Sequence, residues 1–161
     1  LEAVKEDRNE VDAIELDDEH GARTLTKLFA ATAPAEGDTS ATPGIDRLTW
    51  EWELTAPRSA ALAKTRADGV LSALATVRAV DVDDPDAEPA AYGLAEPART
   101  ATLVFADGRR LALHFGAERA AADGRPAGVW MRVGDDPTVW VVTTYAVNNI
   151  FKTVDDLLPE S

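Results

Sequence analysis

At 161 residues the chain has the length of one ordinary domain, or of two small lobes sharing a core, and can bury roughly 68% of its unfolded surface without a covalent staple. Its 29 acidic residues against 16 basic ones leave a formal charge of -13, a mean field that repels phosphate backbones and anionic lipid and so excludes nucleic acid as an expected partner. With no cysteine there is no disulfide framework, thiol nucleophile or thiolate metal site, while 45% hydrophobic and 28% charged residues belong to a folded globular chain rather than a disordered tail.

No run approaches the roughly 18 apolar residues of a spanning helix. The chain opens on "LEAVKEDRNE", with neither an initiator Met nor a signal-like core, so any targeting segment is expected to precede Leu1. Two extended stretches follow, over 11–16 and 23–29, separated by a polar turn at 17–21, and their pairing is expected. Residues 30–46 mix Ala, Thr, Pro, Gly and acids and read as a flexible surface excursion.

The next stretch, "LTWEWELTAP", alternates at the period of a half-buried strand. Leu48, Trp50, Trp52 and Leu54 are expected inward, and Thr49, Glu51 and Glu53 outward. Pro57 ends the strand because it lacks a ladder donor. In "TRADGVLSALATVRAV" Thr65 and Asp68 fit a capping box, and Ala67, Val70, Leu71, Leu74 and Val77 form one helical stripe. "DVDDPDAEPAAYGLAEP", with three prolines and a carboxylate run, argues for an ordered turn around Tyr92 at most.

In the second half, Ala101, Leu103 and Phe105 share a face, Asp107-Gly108 supplies a tight turn, and Leu111, Leu113 and Phe115 resume the alternation, which predicts a hairpin. A second hairpin turns at 134–137, with Val129, Met131 and Val133 on one side and Trp130 and Arg132 on the other. Val147, Ile150, Phe151, Val154 and Leu158 mark a closing helix. The order strand, strand, strand, helix, then four strands and a helix predicts an α+β fold, antiparallel with two main helices. The halves echo one another as two degenerate β-β-β-α repeats. One domain over 1–161 is expected, with sub-lobes at about 1–80 and 98–161 joined by the acidic, proline-rich turn.

The chemical candidates are thin. Glu51 and Glu53 would stand about 6.5–7 Å apart on a strand face, inside the rough 6.5–9.5 Å range of an inverting glycosidase pair, but alternation makes them a solvated face with the tryptophans opposite. His20 and His114 have no second ligand nearby for zinc, and Ser59 and Ser72 sit in no nucleophile elbow. Asp81, Asp83, Asp84, Asp86 and Glu88 lack the spacing of a calcium loop and read as solvated, unpaired charges. No catalytic residue, metal or cofactor is expected. Trp130 shares its face with Arg132 and is the best surface-recognition candidate, against cross-strand packing on Trp140 or the closing helix.

Tyr92-Gly93-Leu94-Ala95-Glu96-Pro97, preceded by a helix and followed by strand, Asp107-Gly108, strand and Gly116, resembles the DUF4340 family of bacterial and archaeal domains. Trp52, Leu54 and Pro57 match that family's upstream motif, and Val129-Trp130-Met131-Arg132 occupies the place of its usual "vYvr" strand. The likeness spans residues 11–158 except the excursion, and departs at Ala95, where Asp is common, and at Trp130, where Tyr is common. It implies a non-catalytic, extracytoplasmic auxiliary domain, tethered by an N-terminal anchor or lipoprotein signal, whose partner is an envelope protein such as an ABC-type transporter component. The interaction surface is then expected at Tyr92, Glu96, Trp130 and Arg132. A carbohydrate-binding or hydrolytic envelope domain using Trp130, Glu51 and Glu53 is the alternative.

Overall fold

Alternating apolar side chains become strand pairs along most of the chain. The computed structural model describes residues 2–31, 45–84, 86, 88–122 and 124–159. Its strands are β1 (Glu2–Lys5), β2 (Val11–Asp18), β3 (Gly21–Ala31), β4 (Ile45–Ala56), β5 (Ala60–Ala61), β6 (Thr76–Arg78), β7 (Asp81–Asp83), β8 (Arg99–Phe105), β9 (Arg110–Arg119), β10 (Gly128–Val133) and β11 (Val139–Val142). Its helices are α1 (Lys64–Ala75), α2 (Thr144–Ile150) and α3 (Val154–Leu157), with 3-10 turns at Arg8–Glu10 and Pro89–Tyr92. Nine strands form one sheet in the order β5-β4-β3-β2-β8-β9-β10-β11-β7, and β1 pairs with β6 in a separate ribbon. Every pairing is antiparallel, which is the α+β arrangement that hairpins without crossovers dictate.

β2 and β8, which open the meanders of the two halves, lie side by side at the centre. Each meander runs outward from that seam, and β7 closes the second one. The helices cover one face. Ile14, Leu16, Leu25, Trp52, Leu54, Leu103, Leu113, Phe115 and Met131 from the sheet share one buried cluster with Val70, Leu71 and Leu74 of α1, Val147 and Ile150 of α2, and Leu157 of α3. Each large aliphatic side chain so buried contributes about 1.5–3 kcal/mol of transfer free energy. Both halves therefore share one core across the seam.

The first hairpin and those at Asp107-Gly108 and 134–137 form as the alternation predicts, with Gly108 at φ 90 and Gly134 at φ 54 in the turns. Other expectations need correction. Leu48 is 73% exposed, because Phe29 pairs with Trp50 while Ala30 already pairs with Asp46. Arg47, Leu48 and Thr49 bulge outward between those pairs. The Asp46 carboxylate holds the bulge by accepting from the Leu48 amide at 2.9 Å and the Thr49 hydroxyl at 3.0 Å.

α1 has Ala63 as its N-cap, without a side-chain cap, so Thr65 and Asp68 form no capping box. The Ala63 amide donates instead to the Leu157 carbonyl at 2.8 Å. The helix also stops before Val77, which is buried from β6; Thr76 and Val77 are β-branched and pair with β1. The closing helix is two helices, so the described residues hold three α-helices. Arg23, on β3, donates to the Lys152 carbonyl at 2.8 Å, and Thr153 starts α3 through a capping box with Asp156. The strands of the expected excursion region reach Ala31 and resume at Ile45; residues 32–44 lie outside the described residues.

Candidate functional site

Strand parity sends Trp130 of β10, Val139 and Val141 of β11, and Asp81 and Asp83 of β7 to the sheet face away from the helices. The segment 88–97 returns across this face and buries Tyr92 and Leu94 with Val139 and Trp130. The rings of Tyr92 and Trp130 stand 5.1 Å apart at 51°, and the Tyr92 hydroxyl donates to the Asp84 carbonyl at 3.0 Å. Two glycines let backbone lie on backbone here. A Cβ at Gly116 would meet the Tyr92 carbonyl oxygen at 2.2 Å, and one at Gly93, whose φ is +70, would meet the Ala117 nitrogen at 2.7 Å.

β9 carries a bulge at the docking point. Met131 faces Phe115 and Val129 faces Glu118, so three steps on β9 oppose two on β10. The extra residue reverses parity. Arg119, which counting from Leu113 and Phe115 places among the core residues, is thereby delivered to the outer face beside Trp130. Its guanidinium donates to Asp81 at 2.9 Å and to Asp83 at 3.2 Å. Arg125 donates to both carboxylates as well, at 3.0 Å each, and the Trp130 indole donates to Asp83 at 2.8 Å.

These contacts correct two expectations. The first two acids of the run are ion-paired rather than unpaired, and Trp130 packs on Tyr92, not on Trp140, which lies on the helix-side face with the core. A hydrogen bond from the Val82 amide, with those from Arg119 and Arg125, pulls the Asp81 carboxyl down to about 2. For Asp83, burial pushes upward but is outweighed by the bonds from Trp130, Arg125 and Arg119, so its carboxyl is also lowered.

Arg132, the next outward residue of β10, lies opposite His114. A hollow of about 370 Å³ is lined there by Leu94, Ala95, Pro97, His114, Arg132, Gly134 and Asp135. The Arg132 Nε is buried without a hydrogen-bond partner, and among the described residues its guanidinium makes no ion pair. Of the four residues expected as a surface, Tyr92 and Trp130 are thus brought together as structural anchors, Arg132 opens the hollow, and Glu96 is exposed outside its lining. Arg119 joins the site without a sequence signal, because the β9 bulge sets which way it faces, and Arg125 comes from the loop after β9; His114, ahead of the bulge, faces outward as its alternation with Leu113 and Phe115 dictates. The spacing of Asp81 and Asp83 was such a signal, since residues two apart on a strand share a face.

Elsewhere, Trp50 and Trp52 are buried as expected, and Glu51 and Glu53 occupy the opposite face of β4. Five strand spacings, roughly 24 Å, separate β4 from β10, so the structure does not bring Trp130 to these glutamates. Lys27 is buried beneath Trp50, with Nζ 3.8 Å from a ring centroid, and donates to the Arg8 carbonyl at 2.7 Å. Burial, aided by the Arg47 charge, lowers its ammonium to about 8. A cavity of about 570 Å³ between α1 and the last two helices is lined by Arg66, Gly69, Asn149, Lys152 and Asp156 among others. Among the described residues no group of three or more acids and histidines is arranged for a metal, and no helix is long and apolar enough to cross a membrane.

Compared with protein-family models, curated proteins and solved structures, the chain matches none.

Proposed function

We propose that this chain is a non-catalytic protein-interaction domain of the cell envelope, meeting its partner at the outer-face hollow beside the 88–97 turn. The observation that carries the reading is Arg132: a guanidinium with a buried, unbonded Nε in a chain with 29 acids to 16 bases. Buried donors are nearly always satisfied. The same side chain lines the hollow, where its terminal N–H groups, unlike the buried Nε, can meet a partner's acceptor. Around it, the Tyr92–Trp130 stack and the Asp–Arg pairs hold the surface rigid, which limits the ordering cost of association.

The envelope location, the anchor preceding the domain and an ABC-type transporter component as partner come from the DUF4340 resemblance. The docking of Tyr92-Gly93-Leu94 against Gly116 gives those motif residues a shared structural role, in keeping with it. The two meanders leaving the β2–β8 seam, each leading to a helix, are in keeping with degenerate duplication.

Co-purification from the source cells tests the reading, comparing the native chain with Arg132→Ala and Glu96→Ala. Trp130 is left intact because truncating it would release Asp83 and Tyr92. Loss of a specific envelope protein with Arg132→Ala is expected; unchanged recovery of every partner in both variants rejects this surface.

A further inference from the structure

We infer that the Arg132 hollow recognises a carboxylate presented by an acidic side chain of the partner, an inference that rests on reading the chain as an interaction domain. A guanidinium offers five N–H donors in a planar fork that matches a carboxylate edge-on. The Arg132 side chain lines the hollow and makes no ion pair among the described residues; its Nε is buried without a partner, so the terminal N–H groups are the part of the fork that meets an acceptor. Other arginines of this sheet are engaged. Arg99 lies 3.9 Å from Glu19, Arg110 pairs with Glu15, and Arg119 and Arg125 hold Asp81 and Asp83.

Among the described residues no acid fills the place. Asp136 is close enough for Arg132 to help lower its carboxyl, but the Thr138 amide is the larger cause and fixes the carboxylate at 2.9 Å. Asp135 lines the hollow without pairing. These two negative charges repel a phosphate dianion more strongly than a singly charged carboxylate. His114 supplies a second polar group opposite the guanidinium. Leu94, Ala95 and Pro97 form the apolar wall, along which the methylenes of a glutamate can lie. A chain terminus would bring its own amides as well, and Pro97 offers no N–H to meet a main chain.

An NMR titration of the whole chain reads the Arg132 Nε–H resonance directly. The probes are blocked glutamate (N-acetyl-glutamate N-methylamide), its glutamine analogue as a neutral isostere, and N-acetyl-alanine as a free terminus. Blocked glutamate is expected to shift that resonance saturably and blocked glutamine to leave it in place. Arg132→Gln should abolish the accompanying shifts of the His114 and Gly134 amides with the remaining spectrum retained. Arg132→Lys, which keeps the charge but loses the fork, should weaken the response about tenfold.

An unmoved Nε–H, or equal responses to glutamate and glutamine, overturns the proposal. Saturation by N-acetyl-alanine at lower concentration than by glutamate overturns the acidic side chain in favour of a terminus. A silent titration with partner recovery that still falls in Arg132→Ala refutes the carboxylate chemistry alone. Saturable glutamate binding with partner recovery indifferent to Arg132→Ala supports the carboxylate site and refutes the interaction reading.

Discussion

Trp52 of β4 donates its indole hydrogen to Asp68 of α1 at 2.7 Å, tying the sheet to the helix that covers it. Trp50 donates to the same carboxylate oxygen at 2.9 Å, and Lys64 reaches the other oxygen at 2.8 Å. Burial pushes the Asp68 carboxyl upward, but the bonds from Lys64, Trp52 and Trp50 outweigh it and keep the group ionised. Asp68→Ala strands two indole donors and should cost about 2–4 kcal/mol. Lys64→Met removes the partly exposed pair and a cation–π contact on Trp50 and should cost only about 1 kcal/mol. Urea denaturation midpoints compare them; an Asp68→Ala loss no larger than that of Lys64→Met would show that the tie contributes nothing.

Lys27 gives the fold an alkaline signature. Its ammonium is lowered from 10.5 to about 8, by burial first and then by the charge of Arg47, against smaller opposing effects of Asp12 and Asp68. Between those values the unfolded chain holds a proton that the folded chain has released, so raising the pH through that window stabilises the fold. Thermal midpoints should therefore rise relative to those of Lys27→Met between pH 8 and about 9.5. Parallel pH curves for the two proteins would refute a depressed Lys27.

The paired acids of β7 give the opposite limb. Asp81 falls from 3.8 to about 2 through its bonds from Val82, Arg119 and Arg125, so its contribution is complete above the unfolded value and is lost as pH falls from 3.8 toward 2. Asp81→Asn should flatten the acid limb of stability below about pH 4. Because guanidinium donors occupy Asp81 and Asp83, millimolar calcium should give no saturable heat by calorimetry and no more thermal shift than magnesium at equal ionic strength. A saturable micromolar isotherm abolished by Asp83→Asn with Asp84→Asn would contradict this.

Gly116→Ala tests the docked turn. Its new methyl would meet the Tyr92 carbonyl oxygen at 2.2 Å, so the 88–97 segment must lift or the sheet must shift, at a cost of about 1–3 kcal/mol. Because Trp130 stacks on Tyr92, the expected readout is a change in its fluorescence environment with faster hydrogen exchange across the turn. Gly69→Ala, whose Cβ has nothing within 4 Å, is the control. Equal exchange in the two variants would show that the close approach is not maintained in solution.

Where one period runs unbroken, the sequence foretells the structure. Leu103 pairs with Leu111 and Ala101 with Leu113 across a glycine turn, and Ala67, Val70, Leu71 and Leu74 line one helix face, because local geometry alone sets these positions. The same rule fails at Leu48 and Arg119. In each case a bulge changes the count, and whether it forms depends on partners elsewhere in the chain: Asp46 holding the first, and the Tyr92–Leu94 turn seated at the second.

The candidate site was legible to a similar extent. Tyr92, Trp130 and Arg132 stand out by residue type and face, yet their roles differ, and only tertiary structure separates them. Tyr92 and Trp130 are occupied by each other, while Arg132 is left with an unbonded Nε beside an open hollow. By itself, the sequence determined the antiparallel hairpins, the inward tryptophans and the acidic surface, since these follow from period, turn residues and charge. The tertiary structure decided which charges are neutralised and which remains available. Pairing depends on distances between residues far apart in the chain, such as Asp81 and Arg119, that no local pattern encodes.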